Sequence, residues 1–414
     1  MVSRGESADI KFRQADSEWR KVGTVIQNLS QYYEDELSFI VRSTNFVNWR
    51  CLLFRRQAIV VLFVMSLSLL LFSNPIDEVM NKTIACEGFW GAVLVSRGDA
   101  ILHAAGYGMA DIERNIPNTP EKKFRIASIT KQFTAAAVLN LLEEGTISLS
   151  DSVVKFIPEF PNGERILIHQ MLNHSSGIPT MINTEQLLEE VEKFSEGRSL
   201  EEAEIAYISS LPLRFEPGNS FLYSNSAYFL LSVLVERASG KRYDEYLRTN
   251  FFEPLGMNNT GYDYNEYDSG WGLPYYSDSY VIDLSRVRPA DWVDRRLPGG
   301  AGGLYSTVYD LYLWDRALSS GKVLSESSLR LMQSPSNELF EAGYGVFIGN
   351  ELIDGEYRRV VYHDGDTKGT STRINRYVDD DIFVVVLSNI EGRDFTALAY
   401  ELAKAVIVNG MGTD

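Results

Sequence analysis

The sequence predicts an α/β protein of the α+β type, with an antiparallel sheet built from both chain ends, flanked by helices and accompanied by an all-helical region. Three observations carry this. An early stretch reads as a hairpin, the last part of the chain returns to strands, and two stretches of helical length and mostly apolar character lie between them. A separate N-terminal apolar run predicts a transmembrane helix.

Residues 57–73, QAIVVLFVMSLSLLLFS, carry no charge, and CLLF extends the apolar character upstream across Arg55-Arg56. At about 1.5 Å per residue the run sits at the short end of a spanning helix. Arg50, Arg55 and Arg56 precede it, and Asp77 and Glu78 follow it. By the positive-inside rule residues 1–50 form a cytoplasmic tail without a motif, 51–74 an anchor or signal segment, 75–84 a linker, and 85–414 an extracytoplasmic domain. A cleaved signal peptide is the competing reading, but no small-x-small cleavage site follows Phe72. A buried core helix is the third.

The outer domain reads as one continuous unit. GFWGAVLVSRGDAILHAAGYG (88–108) is a hairpin turning at Arg97-Gly98-Asp99. Residues 128–144 have helical length, are apolar nearly all round and stop at Gly145, which predicts a buried helix. Residues 226–240 repeat the pattern. Residues 262–298, rich in Tyr, Trp, Asp and Pro, lack clear periodicity and read as a long ordered loop. Its Trp271, Tyr275, Tyr276 and Trp292 either wall a substrate cleft or pack over the helices, and packing is the commoner fate of such rings. RRVVYHDGD, STRINRYV and DIFVVVLSN are strands, and a helix over 395–408 closes the chain.

Composition excludes several functions. The 414 residues carry a net charge of −17, which argues against nucleic acid as a partner because phosphate binding needs a basic patch. The first 56 residues hold nine basic against seven acidic side chains, so the negative charge belongs to the rest. Cys51 and Cys86 lie on opposite sides of the apolar run and are not expected to pair. His103, His169, His174 and His363 are too scattered for a typical zinc site, so neither a metal nor an organic cofactor is expected. The partners expected are a small-molecule or peptide substrate and the membrane, through 57–73, with the monomer as the working unit.

Ser-x-x-Lys occurs three times, at Ser128/Lys131, Ser152/Lys155 and Ser319/Lys322. The last spans a Gly-containing turn, and the second holds a β-branched pair that suits a strand. Only Ser128 opens a long buried helix, where i, i+3 spacing puts hydroxyl and amine on one face. The helix N-terminus favours developing negative charge and disfavours a nearby ammonium, so a partly desolvated Lys131 can accept the Ser128 proton. An N-capping serine beside a solvated lysine fits these residues equally well. Tyr223-Ser224-Asn225 is the only Tyr-x-Asn in the chain and leads into the 226–240 helix. A phenol can relay a proton, and the Asn amide can donate to a substrate carbonyl and accept from Lys131. A loop tyrosine with an N-capping Asn is the plainer reading. His363-Asp364-Gly365 follows the strand RRVVY. There Gly365 lets substrate lie against the strand edge, and His363 holds the Tyr223 phenolate, contacts substrate or is an ordinary strand-end histidine. Lys368-Gly369-Thr370 is its rival as a source of positive charge.

These three elements, in this order, resemble the penicillin-recognising serine hydrolases, and more closely the beta-lactamase-related branch with class C enzymes, D-alanyl-D-alanine carboxypeptidases and esterases. The resemblance covers about 85–408 and also rests on FRIASITKQFTAAAVLNLLEEGTISLSD, IHQMLNHSSGIP, EPGNSFLYSNSAYFLLSVLVERASGKRYDEYL, PLGMNNTGY and AGGLYSTVYDLYLW. It implies a beta-lactamase/transpeptidase-like fold, Ser128 as acylated nucleophile, Lys131 as its base and Tyr223 as proton exchanger. It places Asn225 at the substrate carbonyl, His363 where relatives carry Lys or His, and the oxyanion on the backbone N–H groups of Ser128 and Asp366. His174 falls in a segment the resemblance makes structural. Thr370 stands where relatives often carry an aromatic, so the strand edge is less apolar here. The expected activity is acyl transfer to water from a peptide, ester or beta-lactam carbonyl. No Gly-x-Ser-x-Gly occurs to support a Ser-His-Asp hydrolase. A non-catalytic binding or sensor protein that retains the fold is the alternative.

Overall fold

The structure is a computed structural model and describes residues 74–161, 163–180, 184–264, 270–277, 286–290, 297–335 and 341–413. The tail 1–50 and the apolar run 57–73 lie outside these residues. Among the described residues no helix is long and apolar enough to cross a membrane.

Its frame is a six-stranded antiparallel sheet and five principal helices. In chain order these are α1 Pro75–Cys86, β1 Gly91–Arg97, β2 Ala100–Tyr107, α2 Thr130–Glu143, α3 Asn225–Ser239 and α4 Val308–Ser319, then β3 Phe347–Ile353, β4 Glu356–Thr367, β5 Thr370–Tyr377, β6 Ile382–Ser388 and α5 Thr396–Val408. Strand order is β3-β4-β5-β6-β1-β2. Chain ends meet at the β6/β1 pairing, where Gly91 lies opposite Ser388 and Arg97 opposite Ile382. The expected sheet from both termini therefore forms, joined in the middle by its two most apolar strands.

Burial on both faces explains why β1 and β6 read as unbroken apolar runs. Val93, Val95, Val384 and Val386 face a layer formed by α1 and α5, whereas Ala92, Leu94, Val385 and Leu387 face the helical region containing α2, α3 and α4. Residues 75–84, expected to be a linker, are helical. Asn74 caps α1 through its side chain, Pro75 starts it, and Ile76 and Met80 pack with Phe395, Leu398 and Leu402 under the sheet. The i, i+4 pair Ile76/Met80 was too short an apolar signal to distinguish a docked helix from a spacer.

Helix α2 is the central rod of the helical region and is buried on nearly every side, as its composition predicts. Gly240 ends α3 in a left-handed conformation at φ 70°. The segment 262–298 contributes the short paired strands Tyr275–Ser277 and Val287–Pro289. Two of its aromatics are packing residues. Trp271 lies 4.7 Å from the ring of Tyr305, and Tyr275 packs edge-on against Trp90 while its hydroxyl accepts from the Ile112 amide at 3.0 Å. Trp292 and the Tyr276 side chain lie outside the described residues.

Candidate active site

The chain approaches α2 through a tight turn. Residues Ala127–Ile129 form a 3-10 turn, so Ser128 stands just ahead of α2 rather than inside it. Ala127 has φ 45°, a left-handed conformation that costs free energy for a residue with a Cβ. Contacts on both sides hold it there. The Ile126 amide donates to the Leu304 carbonyl at 3.0 Å, and Thr372 Oγ1 donates to the Ile126 carbonyl at 3.2 Å. Gly365 on β4 closes the arrangement. A Cβ there would stand 2.4 Å from the Ile126 oxygen and 2.3 Å from Thr372 Oγ1. Gly365 thus lets β4 press against the residues that lead into Ser128, in place of the open strand edge expected at this position.

Lys131 is fully buried, and its amine has three neighbours: Ser128 Oγ at 3.0 Å, Asn225 Oδ1 at 2.9 Å and the Ala301 carbonyl at 2.7 Å. The amine also sits 4.8 Å from the centre of the Tyr223 ring. Burial holds its pKa well below the ordinary lysine value. The other Ser-x-x-Lys copies make no such site. Lys155 is exposed and pairs with Asp151 in a 3-10 turn rather than a strand, and Ser319 donates to the Asp315 carbonyl at the end of α4, with Lys322 exposed.

Capping explains how α3 supplies Asn225. Ser224, not Asn225, is the N-cap, its hydroxyl accepting from the Ala227 amide at 3.1 Å, so the Asn225 side chain is left to reach Lys131. The Asn225 amide N–H donates to Thr180 Oγ1 at 3.1 Å. The phenol of Tyr223, one residue before the cap, has a raised pKa: burial dominates, a hydrogen bond with Ser128 opposes it, and Asp364 adds to it.

His363 lies within β4, opposite Ile374, and is buried. Its Nδ1–H donates to the Asp364 carbonyl at 2.5 Å, leaving Nε2 as a buried acceptor with no hydrogen-bond partner among the described residues. Burial, reinforced by the charges of Lys131 and Arg373 against the opposing Asp364 contact, pushes its pKa down to about 3. The ring is neutral, 6.1 Å from that of Tyr223, so it does not hold a phenolate by charge. Asp364 points to the other face of the sheet, where Arg373 donates to it at 2.6 Å. Lys368 and Gly369, the rival cationic segment, form the turn between β4 and β5.

Sequence reading missed three contributors. The Ala301 carbonyl is a backbone group with no signature of its own, although the surrounding glycines hint at close packing. Gly300 makes that packing possible: its amide donates to Ser232 Oγ at 3.0 Å, its carbonyl accepts from Thr134 at 2.6 Å, and a Cβ would lie 2.8 Å from both side chains. Thr180 anchors the start of α3 through the Asn225 amide, and His174, which the resemblance makes structural without saying what it holds, anchors the Tyr223 loop.

Known proteins share this fold and these segments. The Beta-lactamase family model matches residues 86–407. Penicillin-binding protein 4* of Bacillus subtilis (strain 168) is 31% identical over 316 residues, 73% of this chain and 68% of that protein. The crystal structure of a penicillin binding protein from Bacillus halodurans superposes with a TM-score of 0.67 at 26% identity, over 82% of this chain and all (100%) of that one. A D-amino acid amidase from Ochrobactrum anthropi SV3, at 21% identity, shares the fold with a TM-score of 0.67 over 81% of this chain and 98% of its own. The chain belongs to the Beta-lactamase family and is a serine hydrolase of the beta-lactamase-related type.

Proposed function

We propose that this protein is a membrane-anchored, extracytoplasmic hydrolase that works through an acyl-enzyme on Ser128, with Lys131 as the base. One observation carries the reading. Two of the three directions around the Lys131 amine are taken by oxygens that only accept, Asn225 Oδ1 and the Ala301 carbonyl, and the third points at Ser128 Oγ. A neutral amine donates its two protons to those oxygens and turns its lone pair to the serine hydroxyl. Burial, which lowers the Lys131 pKa, favours the neutral amine.

Ser128 Oγ then attacks a carbonyl carbon while its proton passes to Lys131 Nζ. The oxyanion is received by the backbone N–H groups of Ser128 and Asp366. The sheet register supports Asp366 in this role. The two-residue turn makes Thr367/Thr370 a hydrogen-bonded pair, so alternation turns the Asp366 N–H to the opposite side of β4. On that side β3 ends with Phe347 opposite Tyr362, and no strand covers Asp366 among the described residues. Tyr223 passes its phenol proton to the leaving group and regains one from the Lys131 ammonium, which returns the amine to its neutral form. Water then attacks the acyl carbon and gives one proton to Lys131, and the acid leaves as Ser128 Oγ takes that proton back. Asn225 orients Lys131 and reaches the substrate carbonyl. His363 Nε2, a bare acceptor, receives a hydrogen bond from the phenol or the substrate. No step needs a metal or organic cofactor.

The substrate class is an acyl compound of the D-amino-acid peptide, amide or ester type, with a beta-lactam ranked lower. The named activity of the amidase neighbour and the penicillin-binding relatives support that range. The uncharged run 57–73 and its arginine-rich upstream flank support the anchor and the outward domain.

The test is labelling of the full-length protein in detergent with a fluorophosphonate and a fluorescent penicillin, followed by mapping of the adduct. An adduct on Ser128 that disappears in Ser128→Ala is expected. No adduct from either probe, together with no hydrolysis of p-nitrophenyl acetate or D-alanyl-D-alanine peptides, would establish a binding protein instead. Topology is read from Cys86, an exposed free thiol, in a Cys51→Ser background. A membrane-impermeant maleimide should label it in intact cells, and labelling only after permeabilisation would overturn the outward placement.

A further inference from the structure

We infer that His174 is the positioning residue for Tyr223, clamping the loop on both sides of that tyrosine and so setting the phenol on Ser128. The inference rests on the proposed role of Tyr223. His174 is not placed in contact with substrate.

Two backbone amides that flank Tyr223 end on this one residue. The Leu222 N–H donates to the His174 carbonyl at 2.9 Å, and the Ser224 N–H donates to His174 Nδ1 at 3.1 Å. The residue between the two amides is Tyr223, and its ring lies 4.5 Å from the imidazole, tilted by 36°. Phe221 meets the same imidazole edge-on at 5.9 Å, and Tyr228 of α3 lies 5.0 Å away. One buried residue thus meets three aromatic rings with its imidazole and accepts two hydrogen bonds around a single tyrosine, one on its ring and one on its backbone carbonyl.

The clamp itself is fixed. Tyr228 donates its hydroxyl to the Leu172 carbonyl at 2.6 Å, tying α3 to the segment that leads into His174. His174 is held at φ 63°, the left-handed region, which a residue with a large side chain adopts only when its surroundings determine it. That conformation directs the carbonyl to Leu222 and the ring to Ser224 at once.

Chemistry requires a neutral imidazole of one tautomer. An N–H donor at Ser224 needs a lone pair at Nδ1, so the proton sits on Nε2. An imidazolium would oppose one N–H with another. The groups that face the ring favour the neutral form: burial first, then the positive charge of Lys131 and of His363 when either is protonated. Tyr223, Tyr228 and Phe221 bring no charge to stabilise an imidazolium.

The full-length protein with His174→Ala, His174→Asn and His174→Gln tests this, read by the rate of Ser128 labelling with a fluorophosphonate and by thermal melting. Asn tolerates left-handed φ and offers Oδ1 close to the position of Nδ1. Gln has similar bulk but offers its oxygen one bond further out. The Ala and Gln variants are expected to label on the order of 10²-fold more slowly, the scale of a misplaced catalytic group. The Asn variant should stay within about threefold of the parent, with an unchanged pH profile because no proton moves at this site. Labelling of the Ala variant at the parent rate would overturn the inference, as would an Asn variant no better than Gln. If Ala fails to fold, the Asn–Gln comparison decides. A ¹⁵N spectrum of the histidines gives a readout independent of acylation: His174 should be the Nε2–H tautomer, and an Nδ1–H tautomer would refute the clamp even if Ser128 is labelled normally. A parent protein that is never labelled but shows the Nε2–H tautomer overturns the acyl-enzyme reading and leaves the clamp standing.

Discussion

The amine of Lys131 lies 2.9 Å from the side-chain oxygen of Asn225, a residue 94 positions further along the chain. This contact joins α2 to α3 beside Ser128 and, in the proposed mechanism, fixes one of the two protons of a neutral amine. Asn225→Asp should therefore convert a neutral acceptor into a counter-charge that favours the ammonium form. The acid limb of the Ser128 labelling rate should move to higher pH, because Lys131 must lose its proton before it can act. A profile unchanged in position would remove Asn225 from the control of Lys131.

Tyr223→Phe keeps the ring over Lys131 and deletes the hydroxyl. Proton transfer by a positioned group contributes about 10²–10⁴-fold, so turnover of p-nitrophenyl acetate and of amides should fall within that range. Amide turnover should suffer more, since an amine leaves poorly without a proton. Equal, small losses on both substrates would deny the phenol its part in leaving-group protonation.

Gly365→Ala introduces a Cβ where the Ile126 oxygen stands at 2.4 Å. Overpacking of this kind costs about 1–3 kcal/mol. Because the displaced backbone leads directly to Ser128, the loss of acylation should exceed what the fall in melting temperature accounts for. An unchanged labelling rate in a destabilised variant would show that the contact supports only the fold.

The depressed pKa of His363, about 3, makes stability pH-dependent. Between the ordinary histidine value near 6.5 and about 3, the unfolded chain binds a proton here that the folded chain does not. Stability is therefore lost as pH falls through that window, by up to about 1.4 kcal/mol per pH unit for one proton. His174, also lowered by burial, acts in the same direction. Urea unfolding of His363→Asn between pH 4 and 7 should give a shallower slope than the parent. Parallel slopes would mean that His363 is not neutral in the folded protein.

Met80→Ala should destabilise the domain by about 2–5 kcal/mol, the usual cost of truncating a buried methionine. A change within about 0.5 kcal/mol, the surface range, would return residues 75–84 to the status of a spacer.

Much of this protein is legible without coordinates, because the relevant signals are local. Alternating and continuous apolar runs give the hairpin and the strands β4 to β6, and uniform apolarity over 128–144 gives a buried helix. The order Ser128-x-x-Lys131, Tyr223-x-Asn225, His363-x-Gly365 already names a serine hydrolase. Other features depend on chain segments far apart in sequence. Gly365 reads as space for substrate until the sheet brings it against Ile126, and His363 reads as a possible cation until burial makes it neutral. The Ala301 carbonyl, the unstrained release of Asn225 by the Ser224 cap, and the grip of His174 on Tyr223 leave no pattern in the sequence. The sequence determines which groups are available for chemistry, since residue type fixes donors, acceptors and intrinsic pKa values. Only the tertiary structure decides which of them share a dry site, because desolvation and hydrogen-bond geometry arise from packing between elements rather than from any one element.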